Sequence, residues 1–299
     1  PRLYAMKYLE YLGLRLLILI IQLSPFWFLY ALSDFFRFVM YRLIGYRVGV
    51  VRDNLQRCFP EKTASEISRI QSDFYKNLCD VTLETFKGMT MSKATLIKRY
   101  QFKNPELLNQ LFDKNIPGLM VGGHLGNWEW GVLSVNIWAK HQAVGIYKPL
   151  KNPYMDAFFK KTRGRFDLEL VAMADTRASL EKQRDIPGLF YFIADQTPSN
   201  LQSSHWVKFF NRDTVFLSGV DRIARATGIP VYYFDIRRIK RGYYDLVFEP
   251  LCLQPKNMKD GEITQLFANR LEQSIRRAPS NWLWSHKRWK HQKQVAKSR

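Results

Sequence analysis

The sequence predicts an α/β protein: a mixed, largely parallel sheet flanked by helices, behind a helical hydrophobic N-terminal membrane anchor. Three observations carry this. From about residue 100, short apolar runs alternate with stretches of helical periodicity, and a parallel sheet needs such helix-length crossovers between strands. From Leu16 to Ser33 there is no charged residue, which is about the length a bilayer-spanning helix needs. Hydrophobic residues at 46% and charged residues at 24% match an ordinary globular chain and exclude a disordered, collagen-like or disulfide-scaffold protein.

The elements follow in order. No Met opens the chain, and Met6 is the expected natural start. The charge-free run is bounded by Arg15 and by Asp34 and Arg37, and Pro25 interrupts it. Three readings compete for residues 1–46. A cleaved signal peptide is disfavoured by Glu10 and Arg15 and by the lack of a small-residue cleavage site. A buried helix pair is the second reading. An anchor that spans or lies in one leaflet, broken at Pro25, is preferred. Residues 47–299 are expected to form the α/β domain. Thr63-Ala-Ser-Glu66 reads as a capping box, opening a helix with Ile67, Ile70, Phe74, Leu78 and Val81 on one face. Asn104-Pro105 and Asn152-Pro153 each start a helix. Strands are expected at 117–123, 143–147, 168–173, 188–194, 206–210 and 230–236. Helices are expected near 176–183 and 218–227, with a last one over 262–277. From Ser285 onward there are Lys and Arg but no acid, so the end of the chain reads as a solvated or headgroup-facing tail.

Charge narrows the partners. Forty-six Lys and Arg against 26 Asp and Glu give a net charge of +20, which favours polyanions such as anionic membranes, acidic proteins or nucleic acid. Nucleic acid is disfavoured, because there is no helix-turn-helix, zinc or ribonucleoprotein signature and the basic residues are spread out. Cys58, Cys79 and Cys252 form no CxxC pair, so neither a metal site nor a disulfide framework is expected.

The sharpest local signal is Val121-Gly-Gly-His124-Leu-Gly-Asn-Trp-Glu129. His124 follows an apolar strand and two glycines, and Glu129 lies in the first turn of the next helix. A strand-end His with a carboxylate in reach is the base-plus-orienter half of a catalytic triad. On this reading Glu129 fixes the tautomer while the other ring nitrogen takes a proton from a hydroxyl. No Ser or Cys sits in a nucleophile elbow nearby, so the hydroxyl would be the substrate's own and no covalent acyl-enzyme is expected. The bland alternative is a structural His and a Glu that favours the helix dipole.

The chain resembles the lipid A biosynthesis acyltransferases, late lauroyl and myristoyl transferases within the lysophospholipid and glycerolipid acyltransferase superfamily. His124 to Glu129 fits that superfamily's motif of His, four residues, then Asp or Glu. Gly145-Ile-Tyr-Lys-Pro149 resembles the second block, and Arg163-Gly-Arg165 lies where the family carries two functional arginines. Ala194-Asp195-Gln196 resembles its Asp-His/Gln block, and Trp282-Leu-Trp-Ser-His-Lys-Arg288 its C-terminal signature. Asn54-Leu55 with Phe59-Pro60-Glu61 looks like the block after the anchor. The resemblance implies transfer of a fatty acyl chain from a thioester, usually on acyl carrier protein, to a hydroxyl of a lipid acceptor. It places this chemistry at the cytoplasmic face of the bacterial inner membrane, with no cofactor beyond an acyl carrier protein or coenzyme A thioester as co-substrate. Lys148 in place of the usual Arg, and Gln196 in place of the frequent His, leave the acceptor open: a lipid A precursor, an amino-acid lipid or a lysophospholipid.

Within that chemistry Arg163, Arg165 and Lys148 are candidates to stabilise an oxyanion or grip an acceptor phosphate. Asp195, at a strand end, is expected to position an arginine. Trp282 and Trp284 are expected as core anchors; His286, Lys287 and Arg288 should face headgroups or fix the C-terminal segment. His141, His205 and His291 are expected to be structural. A rival of another class is a non-catalytic, basic lipid-binding protein, for which His124 and Glu129 would be dispensable.

Overall fold

The structure is a computed structural model describing residues 2–183 and 185–291. The far end of the basic tail, 292–299, lies outside the described residues. In chain order the elements are α1 (Arg2–Leu23), α2 (Phe26–Phe38), α3 (Val48–Cys58), α4 (Ala64–Gly88), α5 (Lys93–Arg99), β1 (Tyr100–Phe102), α6 (Pro105–Asp113) and β2 (Gly118–Gly122). Then come α7 (Trp128–Trp138), β3 (Gln142–Tyr147), α8 (Pro153–Arg163), β4 (Glu169–Ala172), α9 (Thr176–Glu181), β5 (Gly188–Ile193), β6 (Ser204–Phe209) and β7 (Arg212–Leu217). The last are α10 (Gly219–Thr227), β8 (Val231–Lys240), β9 (Tyr243–Cys252) and α11 (Glu262–Arg277).

The main sheet has strand order β1-β9-β8-β2-β5-β3-β4, and β6-β7 form a separate hairpin. Strands β8, β2, β5, β3 and β4 run parallel; β9 turns back antiparallel to β8 and carries β1 parallel to itself. This is the mixed, largely parallel sheet expected. Helices cover both faces, and the pleat of β8 shows how. Tyr233 and Asp235 reach α11, where both hydrogen-bond Ser274 at 3.0 Å. The alternate residues Phe234 and Ile236 turn the other way, towards α7.

Local signals act as their chemistry requires. Thr63 Oγ1 accepts from the Glu66 N–H at 3.3 Å and Glu66 Oε2 accepts from the Thr63 N–H at 2.8 Å, so the capping box starts α4. Pro25 separates α1 from α2, as its missing N–H demands. The charge-free run is therefore divided between two helices, and among the described residues no helix is long and apolar enough to cross a membrane. Ile18, Ile21 and Leu29 turn inward, while Leu16, Leu19, Ile20, Leu23 and Trp27 are exposed.

The N-terminal helices are tied to the domain by two buried carboxyl groups on α4. Asp80, with no exposed surface, accepts from Ser33 at 2.6 Å, from Arg238 at 2.6 Å and from Arg241, whose guanidinium also reaches Asp34 at 2.8 Å. One turn on, Glu84 accepts from Tyr30 at 2.8 Å, Tyr244 at 2.7 Å and Asn127 at 2.8 Å. Burial holds the Glu84 carboxyl above the ordinary range, against the hydrogen bonds from Tyr244 and Asn127 that favour its charged form. Removing one partner of a buried ion group strands the others, which typically costs about 3–5 kcal/mol. Asp80→Ala is therefore expected to lower unfolding free energy by about that amount. A denaturant midpoint equal to that of the parent would show that this group carries no stability.

Candidate active site

Adjacent parallel strands leave the sheet at one edge, and β2, β5 and β3 are adjacent. Gly122 pairs with Ile193, and the Ala194 N–H continues the ladder to the Gly122 carbonyl at 3.0 Å. His124, Asp195 and Lys148 therefore follow the carboxyl ends of three neighbouring strands, where ligand sites form in open α/β sheets.

His124 Nδ1 lies 2.5 Å from Asp195 Oδ1, and the His124 backbone N–H donates to Asp195 Oδ2 at 2.8 Å. Trp282 Nε1 donates to the same oxygen at 2.7 Å. A carboxylate only accepts, so Nδ1 carries the proton and Nε2 presents its lone pair. Gln196 Nε2 stands 3.3 Å from that lone pair, and the Trp128 ring meets the imidazole edge-on at 5.0 Å. Gly123 makes the close approach possible: a Cβ there would lie 2.9 Å from Asp195 Oδ2 and 2.7 Å from Leu271.

The pair shifts both groups towards their charged forms. Burial alone would raise Asp195, but the His124 charge and hydrogen bond, with the hydrogen bonds from Trp282 and the His124 backbone, hold its carboxyl down to about 2. Burial pulls His124 down, and the Asp195 charge and hydrogen bond outweigh it, with Glu129 adding, so the imidazole pKa ends above its ordinary value.

Glu129 was expected to orient this imidazole, and the structure corrects that. Glu129 is held by Arg163, which donates Nη2 to Oε1 at 2.7 Å and Nε to Oε2 at 3.0 Å. Glu129 points from the first turn of α7 towards the end of α8, and a planar guanidinium takes both of its oxygens. Asp195 was expected to hold an arginine and instead holds the histidine. Arg165 also departs from expectation: it donates to the Gly88 and Met91 carbonyls at 3.2 and 2.8 Å, pinning the end of α4 rather than lining the site.

His124, Glu129, Arg163, Gln196 and the exposed Lys148 share the wall of a cavity of about 280 Å³ between the sheet and α7. The rest of its lining is chiefly apolar, including Val132, Val135, Ile146, Leu170, Ile193, Phe234 and Ile236. Two partners escaped sequence reasoning. Trp282, expected as a core anchor, is buried and also bonds Asp195. Asn127 accepts from the Trp130 N–H at 2.9 Å, capping α7, and donates to Glu84; an Asn before an apolar helix is a legible cap signal. Arg288 does not face headgroups. It is 1% exposed and stacks 4.0 Å over Phe216, while His286 accepts from the Thr197 N–H at 3.0 Å and fixes the C-terminal segment. Among the described residues, one His–Asp grouping could hold a metal: His205, Asp221 and Asp260. Arg225 pairs with both acids there.

A strand-end imidazole backed by a buried carboxylate and opening on an apolar cavity suits acyl transfer, and the chain is an acyltransferase. The family model "Bacterial lipid A biosynthesis acyltransferase" matches residues 1–291, and the chain belongs to that family. It is 24% identical over 296 residues to the lipid A biosynthesis lauroyltransferase of Escherichia coli (strain K12), covering 98% of this chain and 94% of the relative. The lipid A biosynthesis palmitoleoyltransferase of the same strain is 22% identical over 248 residues, 82% of this chain and 79% of the relative. A lipid A biosynthesis acyltransferase of Haemophilus influenzae (strain ATCC 51907 / DSM 11121 / KW20 / Rd) is 24% identical over 248 residues, 82% and 78% of the two chains.

The ion pair has a direct test. Asp195→Asn removes the attractive charge and leaves the burial, so the His124 pKa is expected to fall from above its ordinary value to below it. An NMR titration of the imidazole measures this. A His124 titration unmoved by the substitution would break the assignment of Asp195 as its charge partner.

Proposed function

We propose that this protein transfers a fatty acyl chain from a thioester to a hydroxyl of a lipid A precursor, with His124 as general base and no covalent acyl-enzyme. The Asp195–His124 pair aimed into an apolar cavity carries the reading. Asp195 orients the ring and stabilises the imidazolium that forms when Nε2 takes the acceptor proton. Among the described residues lining the cavity there is no Ser, Thr or Cys, which supports direct attack by the acceptor. Glu129 holds Arg163 at the cavity wall, and Arg163 with Lys148 supplies positive charge for an acceptor phosphate. The names of the relatives support lipid A chemistry as the setting.

The donor is an acyl carrier protein thioester. Acyl carrier proteins are acidic as a group, and a partner with a net charge of +20 gains association rate from complementary charge. The coenzyme A thioester, itself anionic, is the competitor. The protein attaches to the cytoplasmic face of the inner membrane through α1 and α2, whose outward side is apolar: Leu23 is 80% exposed and Trp27 73%. Such a face inserts at the boundary of headgroups and acyl chains without spanning.

Purified His124→Ala, given an acyl carrier protein thioester and a lipid A precursor, is expected to lose about 10²–10⁴ in turnover. Product is read by mass spectrometry, and near-normal turnover would sink the mechanism. Attachment is tested separately. Replacing Leu16, Leu19, Leu23 and Trp27 together by Ser is expected to abolish flotation with zwitterionic liposomes, where charge attraction does not hold the +20 chain, while leaving the circular dichroism spectrum unchanged. Flotation equal to that of the parent would leave the membrane reading without support.

A further inference from the structure

We infer that Gln196 is the side-chain donor that stabilises the oxyanion in this reaction; the inference rests on the base-catalysed acyl transfer proposed above. The acceptor oxygen attacks the thioester carbonyl carbon and its proton passes to His124 Nε2. The carbonyl π electrons move onto the carbonyl oxygen as negative charge. That charge then re-forms the double bond, the C–S bond breaks, and the leaving sulfur takes the proton back from the imidazolium. The intermediate needs a donor close to Nε2.

The cations do not meet that requirement. Arg163 has Nε and Nη2 engaged by Glu129, and Arg165 is turned to the end of α4. Lys148 is exposed, as Gln196 is, and what separates them is position: the Gln196 amide, not the ammonium, lies beside Nε2. Among the described residues, the Gln196 amide is the side-chain donor within hydrogen-bond distance of His124 Nε2, at 3.3 Å. The acceptor hydroxyl must take that place before it can lose its proton. The attacking oxygen and the oxyanion end on the same carbon, so a donor displaced from the one position remains in reach of the other. The backbone around Gln196 is held on both sides: Asp195 is fixed by its bonds to His124 and Trp282, and the Thr197 N–H donates to His286 at 3.0 Å. Donors held in place before reaction are the ones that lower a barrier.

The test uses the full chain with the carrier-protein thioester and lipid A precursor, and measures kcat and KM across pH. Gln196→Ala and the isosteric Gln196→Glu both remove the N–H. Each is expected to lower plateau kcat by about 10²–10³ with KM little changed. Gln196→His restores an N–H and is expected to recover most of kcat. Reading the pH plateau separates donor loss from a shift of the His124 limb caused by the new carboxylate. Wild-type kcat in Gln196→Glu, or a loss confined to KM, would overturn the inference while leaving His124 catalysis standing. An inactive wild type would instead remove the proposed function and this inference with it.

Discussion

The site depends on one buried carboxylate. Asp195 has almost no exposed surface and accepts from the imidazole and backbone N–H of His124 and from the indole of Trp282. A buried carboxylate is costly unless its lone pairs are used, and these donors come from two stretches of chain distant from its own. The interaction therefore joins β2, β5 and the C-terminal segment at the point where the imidazole must be rigid. Gly123 belongs to the same constraint, since any side chain there would press on the carboxylate and on α11.

A second column of buried carboxyl groups links the exposed helices to the site. Asp80 and Glu84, one turn apart on α4, collect Ser33 and Tyr30 from α2, Arg238, Arg241 and Tyr244 from the β8–β9 hairpin, and Asn127 from the turn before α7. Asn127 lies inside the His124–Glu129 stretch and caps the helix that carries Glu129. The spacing from His124 to Glu129 thus serves two purposes. It sets His124 at the strand end, and it starts a helix whose first turn aims Glu129 at Arg163.

Much of this was legible in the sequence, and the limits have physical causes. Capping signals are local, so the Thr63–Glu66 box marks the start of α4 in the sequence. His124 was legible because the glycines and strand mark its place. Its partner was not, because the contact of Asp195 with His124 depends on β2 lying beside β5, and strand order is not written in local pattern. Glu129 was the near carboxylate, and nearness in sequence misled. Strand β9 was missed although Tyr244, Leu246 and Phe248 alternate inward; Pro250 interrupts the run and the acids Asp245 and Glu249 dilute it. Strand β8 runs on past Ile236 through Arg237 and Arg238, residues that look like a solvated end but are paired with Asp235 and Asp80.

The helices α1 and α8 connect the outward apolar face to the inward chemistry. Tyr154 and Phe158 of α8 pack on Tyr8 and Tyr11 of α1, and the Asn152 amide that caps α8 donates to the Lys7 carbonyl at 3.0 Å and to Glu10 at 3.1 Å. The same helix ends on Arg163, whose guanidinium clamps Glu129 across the cavity wall. The contacts with α1 and the clamp on Glu129 thus sit on one 11-residue helix, the first near its start and the second at its end. The cavity carries its polar groups Lys148, Gln196 and His124 together with Arg163 from the end of α8. The packing of α1 on α8 thus lies behind the position of Arg163 in the cavity wall.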